Sequence, residues 1–143
     1  MTSWRDTASA QAQADLDGLL EPALGFAQQS LGERGEFYPY AVVVNIAGEQ
    51  EMIMAEAPTE QPESTSVIDS ITRDLASHRD NYRAVAVVAD VRVREAGTDA
   101  IRVTLEHREG PVMSVVLPYT RRKFRGGYVF GELQGATAGP SVW

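Results

Sequence analysis

Three consecutive stretches decide the fold: Tyr82-Arg83-Ala84-Val85-Ala86-Val87-Val88-Ala89-Asp90-Val91-Arg92-Val93-Arg94-Glu95, then Ala100-Ile101-Arg102-Val103-Thr104-Leu105-Glu106-His107-Arg108-Glu109, then Val112-Met113-Ser114-Val115-Val116-Leu117-Pro118-Tyr119-Thr120. Each is rich in β-branched residues, which fit a pleated surface. The links, Ala96-Gly97-Thr98-Asp99 and Gly110-Pro111, are short and contain glycine, so the three runs read as an antiparallel meander. Side chains alternate between the two faces of a strand. Val85, Val87, Ala89, Val91 and Val93 share one face, expected to continue through Ile101, Val103, Leu105 and His107, then Met113, Val115 and Leu117. Ala86, Val88, Val112 and Val116 then fall on the opposite face, as a self-association patch or as ground covered by the segment around Val129, Phe130 and Trp143.

Upstream, Leu16, Leu19, Leu20, Ala23, Leu24, Ala27 and Leu31 recur at three- and four-residue steps, predicting a helix from about Ser9 to Leu31. Pro22 cannot donate to the carbonyl of Gly18, so a kink or a restart near Glu21 is expected. Gly32 and Gly35 supply the stop. Ala41–Ile46 and Glu51–Ala57 read as a hairpin turning at Ala47-Gly48-Glu49, and 58–65 as a polar loop. Ser66 and Asp69 have capping-box spacing for a second helix, with Val67, Ile68, Ile71 and Leu75 on its inner stripe. Gly127–Leu133 adds a possible last strand.

The expected architecture is α+β, in the order α-β-β-α-β-β-β with a possible extra C-terminal strand. It is a two-layer sandwich: a mainly antiparallel sheet of five to six strands with both helices on one face. Residues 1–133 form a single domain with 1–8 as a loose leader, and 134–143 a flexible tail that Trp143 could anchor.

The chain has 143 residues, enough to bury a core without a staple, and no cysteine, which excludes a disulfide framework and thiol chemistry. No apolar run approaches the roughly 20 residues of a membrane span, and the N-terminus lacks an apolar signal segment, so a cytoplasmic location is expected. Arginine outnumbers lysine 12 to 1, a skew typical of GC-rich coding. Net charge is −7, made of −10 over residues 1–80 and +3 over 81–143. A globally acidic surface makes a nucleic-acid partner unlikely. The polarity suits an oriented protein contact or head-to-tail pairing of two copies.

The block Leu31-Gly32-Glu33-Arg34-Gly35-Glu36-Phe37-Tyr38-Pro39-Tyr40-Ala41, with the later Val116-Leu117-Pro118-Tyr119, resembles small bacterial, actinobacterial-type α+β proteins of unknown function. In these a helix runs into a GEFYP(F/Y)A strand and a hairpin. The resemblance spans about residues 15 to 133 and implies the fold; it brings no activity and no site residues.

Few side chains carry chemistry. The two histidines, His78 and His107, read as a helix-end cation and a strand-end residue bonded to backbone or solvent. Two isolated histidines do not make a metal site. The acidic pairs Glu49/Glu51 and Glu60/Glu63 read as solvated, and phosphate-loop, nucleophile-elbow and dinucleotide motifs are missing. No catalytic residue, metal or cofactor is assigned. Phe37, Tyr38 and Tyr40 read as core and strand-entering residues, with an aromatic ligand or partner surface as the alternative.

The sharpest signal is Arg121-Arg122-Lys123-Phe124-Arg125-Gly126-Gly127-Tyr128. It reads as a solvated or internally paired turn, a contact for an acidic protein patch, or a phosphate grip. The leading expectation is a non-catalytic domain that binds another protein or itself, immunity-type or accessory in role, through Arg121, Arg122, Lys123 and Arg125 with Tyr119 and Tyr128. The alternative is a small-ligand or phosphate-binding domain, conceivably an enzyme, with a pocket near His107, Tyr119 and the same turn.

Overall fold

A computed structural model describes residues 9–54, 64–93, 97–122, 126–136 and 138–143. Helix α1 (Ala10–Arg34) leads into strands β1 (Tyr40–Asn45) and β2 (Gln50–Met54). Helix α2 (Ser64–Ser77) and a short 3-10 turn follow. Then come β3 (Tyr82–Val93), β4 (Thr98–His107), β5 (Val112–Arg121), β6 (Tyr128–Phe130) and β7 (Gln134–Ala136). The strands form one antiparallel sheet in the order β2-β1-β3-β4-β5-β6, and β7 also pairs with β5. The element order and the α+β class are those expected from sequence. The expected leader, most of the polar 58–65 loop, Lys123, Phe124 and Arg125 lie outside the described residues.

Ser9 caps α1, its hydroxyl accepting from the Ala12 N–H at 3.1 Å. The helix does not restart at Pro22; it runs unbroken for 25 residues. The Gly18 carbonyl, left without an intrahelical donor, accepts instead from Gln50 Nε2 of β2 at 2.8 Å. The missing bond thus becomes a tie between helix and hairpin. Gly35 ends the helix at φ 76°, its N–H returning to the Leu31 carbonyl at 2.9 Å. Helix α2 starts two residues ahead of the expected cap, which puts Ser66 inside its first turn.

The faces of β3 are the reverse of those expected. Ala84 lies opposite His107, Ala86 opposite Leu105 and Val88 opposite Val103. The apolar set of β4 therefore shares a face with Ala84, Ala86 and Val88, not with Val85 and Val87. A register change of one residue moves a whole strand's set to the other side. On this first face α1 buries Leu16, Leu19, Ala23, Ala27 and Leu31 against Tyr40, Val42, Ala86, Val88, Ile101, Val103 and Leu105. Ala86 and Val88 are fully covered and form no exposed patch.

The helices also lie on opposite faces, which corrects the expected two-layer sandwich. Val67, Ile71 and Leu75 of α2 pack on Ala41, Val43 and Val85, the other side of β1 and β3. Val142 joins this second core. Within the stretch expected to be a tail, β7 pairs with β5, and the last three residues dock beside β4. Two apolar faces on the central strands leave no solvent side there, so both need cover.

Candidate functional site

Three polar clusters among the described residues are closed on themselves. At the far end of β4, His107 is 0% exposed. Its Nε2 lies 2.9 Å from Asp15 Oδ2 of α1, and its Nδ1 accepts from the Glu109 N–H at 3.1 Å. A neutral ring carrying its hydrogen on Nε2 satisfies both contacts. Arg83 donates to the other Asp15 oxygen at 2.6 Å. Ser9, already capping α1, donates to Glu109 at 3.1 Å. Gly48 is needed here: its φ is +88°, and an added Cβ would come within 3.2 Å of the Arg83 guanidinium. The cluster fastens α1 to the sheet. A histidine with both nitrogens engaged and no exposed surface has no position for a substrate.

At the other end, Tyr119 on β5 donates to Asp90 on β3 at 2.6 Å. Burial raises the Asp90 carboxyl above its ordinary value; the Tyr119 hydrogen bond draws it partly back, and the charge of Asp99 adds to the rise. Burial and the bond to Asp90 raise the Tyr119 hydroxyl as well. The rings of Tyr119 and Tyr128 meet edge to face at 5.6 Å.

The third place is Glu106, 3% exposed on the second face. Its carboxylate accepts from the N–H groups of Ser141, Val142 and Trp143 at 3.1, 3.1 and 2.8 Å. Three main-chain donors answer a buried carboxylate that has no ion-pair partner among the described residues.

These positions redistribute the residues expected to form a site. Tyr119 and Tyr128 touch through their rings. His107 does not join them. Tyr119 is opposite Asp99 at the start of β4, while His107 ends that strand. Eight residues of extended chain separate the two levels, about 26 Å at the rise of a strand. The pocket expected near His107, Tyr119 and the basic turn is therefore not one place. Arg121 and Arg122 are exposed, and the Arg122 N–H closes the turn onto the Gly127 carbonyl at 3.0 Å. Among the described residues no group of three or more metal-ligating side chains converges.

What remains open is an edge. Among the described residues strand β2 ends the sheet, with its outer backbone groups unpaired within it. Met52 and Met54 are 43% and 57% exposed. Both lie on the α1 face, beyond the flank of the helix, since Met54 pairs with Tyr40 and Met52 with Val42. Beside Met54 a cleft of about 110 Å³ opens between Phe26, Ser30, Arg34, Phe37 and Tyr38. Tyr40 is core, its hydroxyl on the Ala23 carbonyl and its ring against Phe26 and Phe37. Tyr38 stays exposed. Methionine runs and an exposed tyrosine are adaptable contact groups. Alternation in Gln50–Met54 marks a strand, but only the sheet order reveals that it is an edge.

No helix among the described residues is long and apolar enough to cross a membrane. Comparison with known proteins found no family model that matches the chain, and no matching curated protein or solved structure.

Proposed function

We propose that this chain is a non-catalytic domain that works by protein association, with the β2 edge as its contact. The observation that carries this reading is the exposure of Met52 and Met54 on an open edge strand, while His107, Asp15 and Glu106 are consumed by contacts within the fold. An open edge accepts another strand through main-chain hydrogen bonds, and flanking side chains choose which strand. Glu49 precedes this one and Glu51 lies within it, both exposed. Like charges reject a second β2 and favour a basic, apolar partner.

A second copy offers such a partner at its opposite edge. There β6 exposes Val129, with Arg121 and Arg122 close in sequence and also exposed. Joining β2 of one copy to β6 of the next is heterologous, so it extends head to tail. The acidic first part and basic second part of the chain favour that orientation.

Sedimentation of purified protein tests this. Mass should rise with concentration and fall with added salt. Variants Met52→Arg/Met54→Arg and Arg121→Glu/Arg122→Glu should each be monomeric alone and form a dimer, no larger, when mixed. A wild type that stays monomeric up to millimolar concentration at low salt would sink self-association.

A further inference from the structure

The second face of the sheet holds a cleft that none of these contacts uses. It lies between α2 and strands β3 and β4, has a volume of about 110 Å³, and is bordered by Ser141 and Val142. Ile68, Val85 and Val87 form its apolar side, and Thr72, Arg102, Thr104 and Glu106 its polar side, the Glu106 carboxylate being turned to the N–H groups of residues 141–143.

Arg102 is the unusual member. It is half-buried, and among the described residues no ion pair or hydrogen bond engages its guanidinium. Its cross-strand neighbours are Ala89 and Val116, neither of which can answer a charge. The acid two positions beyond Thr104 on the same face, Glu106, is already occupied by the N–H groups of residues 141–143. A guanidinium on a cleft wall with no protein partner among the described residues is a place for an anion. A guanidinium fork suits a planar two-oxygen anion. Thr104 can add one hydrogen bond to it, and the wall of Ile68, Val85 and Val87 takes only a small aliphatic body.

We propose that this cleft binds a short-chain aliphatic carboxylate. Its carboxylate rests on Arg102 and Thr104, and its hydrocarbon end on Ile68, Val85 and Val87. The site is independent of the β2 edge, which lies beyond β1 from β3.

The test is an amide NMR titration of the full chain with butyrate as the probe, beside 1-butanol and inorganic phosphate. Butyrate should produce saturable shifts centred on Thr72, Val87 and Thr104. Butanol and phosphate should each bind at least about tenfold more weakly, because each lacks one of the two recognised parts. Arg102→Gln should weaken butyrate by about tenfold or more, the loss of one charge-assisted contact. Val87→Leu, which fills the cleft and leaves Arg102 in place, should do the same, and keeps the test decisive should Arg102→Gln fail to fold. No saturable shift with butyrate overturns the proposal. So does an unchanged affinity in either folded variant, or phosphate binding as tightly as butyrate.

Discussion

The two faces of the sheet are finished in different ways. The first is sealed by one 25-residue helix, and its ends are locked by Asp15 with His107 and Arg83, and by Tyr119 with Asp90. The second is covered by the 14-residue α2 and by the end of the chain, with a cleft lined by Arg102 and Thr104 left between them. A sealed face supplies stability, and a partly covered one leaves room for a ligand. The contrast can be broken most directly by cutting equal holes in each. Leu105→Ala on the first face should cost about 4–5 kcal/mol, near the top of the range for buried leucine, because α1 and three strands hold the cavity open. Ile71→Ala on the second should cost about 2–3 kcal/mol, since a short helix over an unfilled cleft can settle into the space. Urea unfolding of both variants checks this. Equal losses would mean that the two faces are equally rigid.

The lock at Asp15 comes next in size. Asp15→Ala removes the acceptor of both Arg83 and His107 and leaves one buried and one partly buried donor without it. About 2–3 kcal/mol should go. Asp15→Asn keeps one oxygen and should lose less. If Asp15→Ala unfolds at the wild-type urea midpoint, water replaces the carboxylate without cost and the cluster does not fasten the helix.

Sequence periodicity carried the elements but not their layering, and β3 shows why. Its two faces read Ala84-Ala86-Val88 and Val85-Val87-Ala89, almost equally apolar, so composition could not tell which one meets α1. The β3–β4 turn decides it. With Val93 paired to Thr98, odd positions of β3 meet even positions of β4. Between β4 and β5, where Glu106 pairs with Val112, odd meets odd, and the expected match of Ile101, Val103 and Leu105 with Leu117, Val115 and Met113 is the observed one. The Asp15 cluster left two traces: an inward histidine at position 107, and a carboxylate on the buried stripe of α1 between Ala12 and Leu16. Neither trace names the other, because 92 residues separate them. Arg102 left none, since an arginine alternating with valines on a strand reads as solvent-facing until the end of the chain is seen to fold over that side.

The smallest effect isolates the other lock, at Asp90. Its carboxyl is raised in the fold, chiefly by burial. A group that holds its proton more tightly when folded contributes stability below its unfolded value, near 3.9 for aspartate, and loses that contribution as pH rises through the folded value. At neutral pH the ionised Asp90 is therefore a cost, partly offset by the Tyr119 hydroxyl. Asp90→Asn removes the charge and keeps an oxygen to accept from Tyr119. The variant should melt slightly higher than wild type at pH 7, and the gap should close as acidification returns the proton to Asp90. Paired melting curves across that window decide the matter. A variant less stable at neutral pH would mean that the charge-assisted bond to Tyr119 outweighs the burial of Asp90, and that both ends of the first face are held by ionised carboxylates.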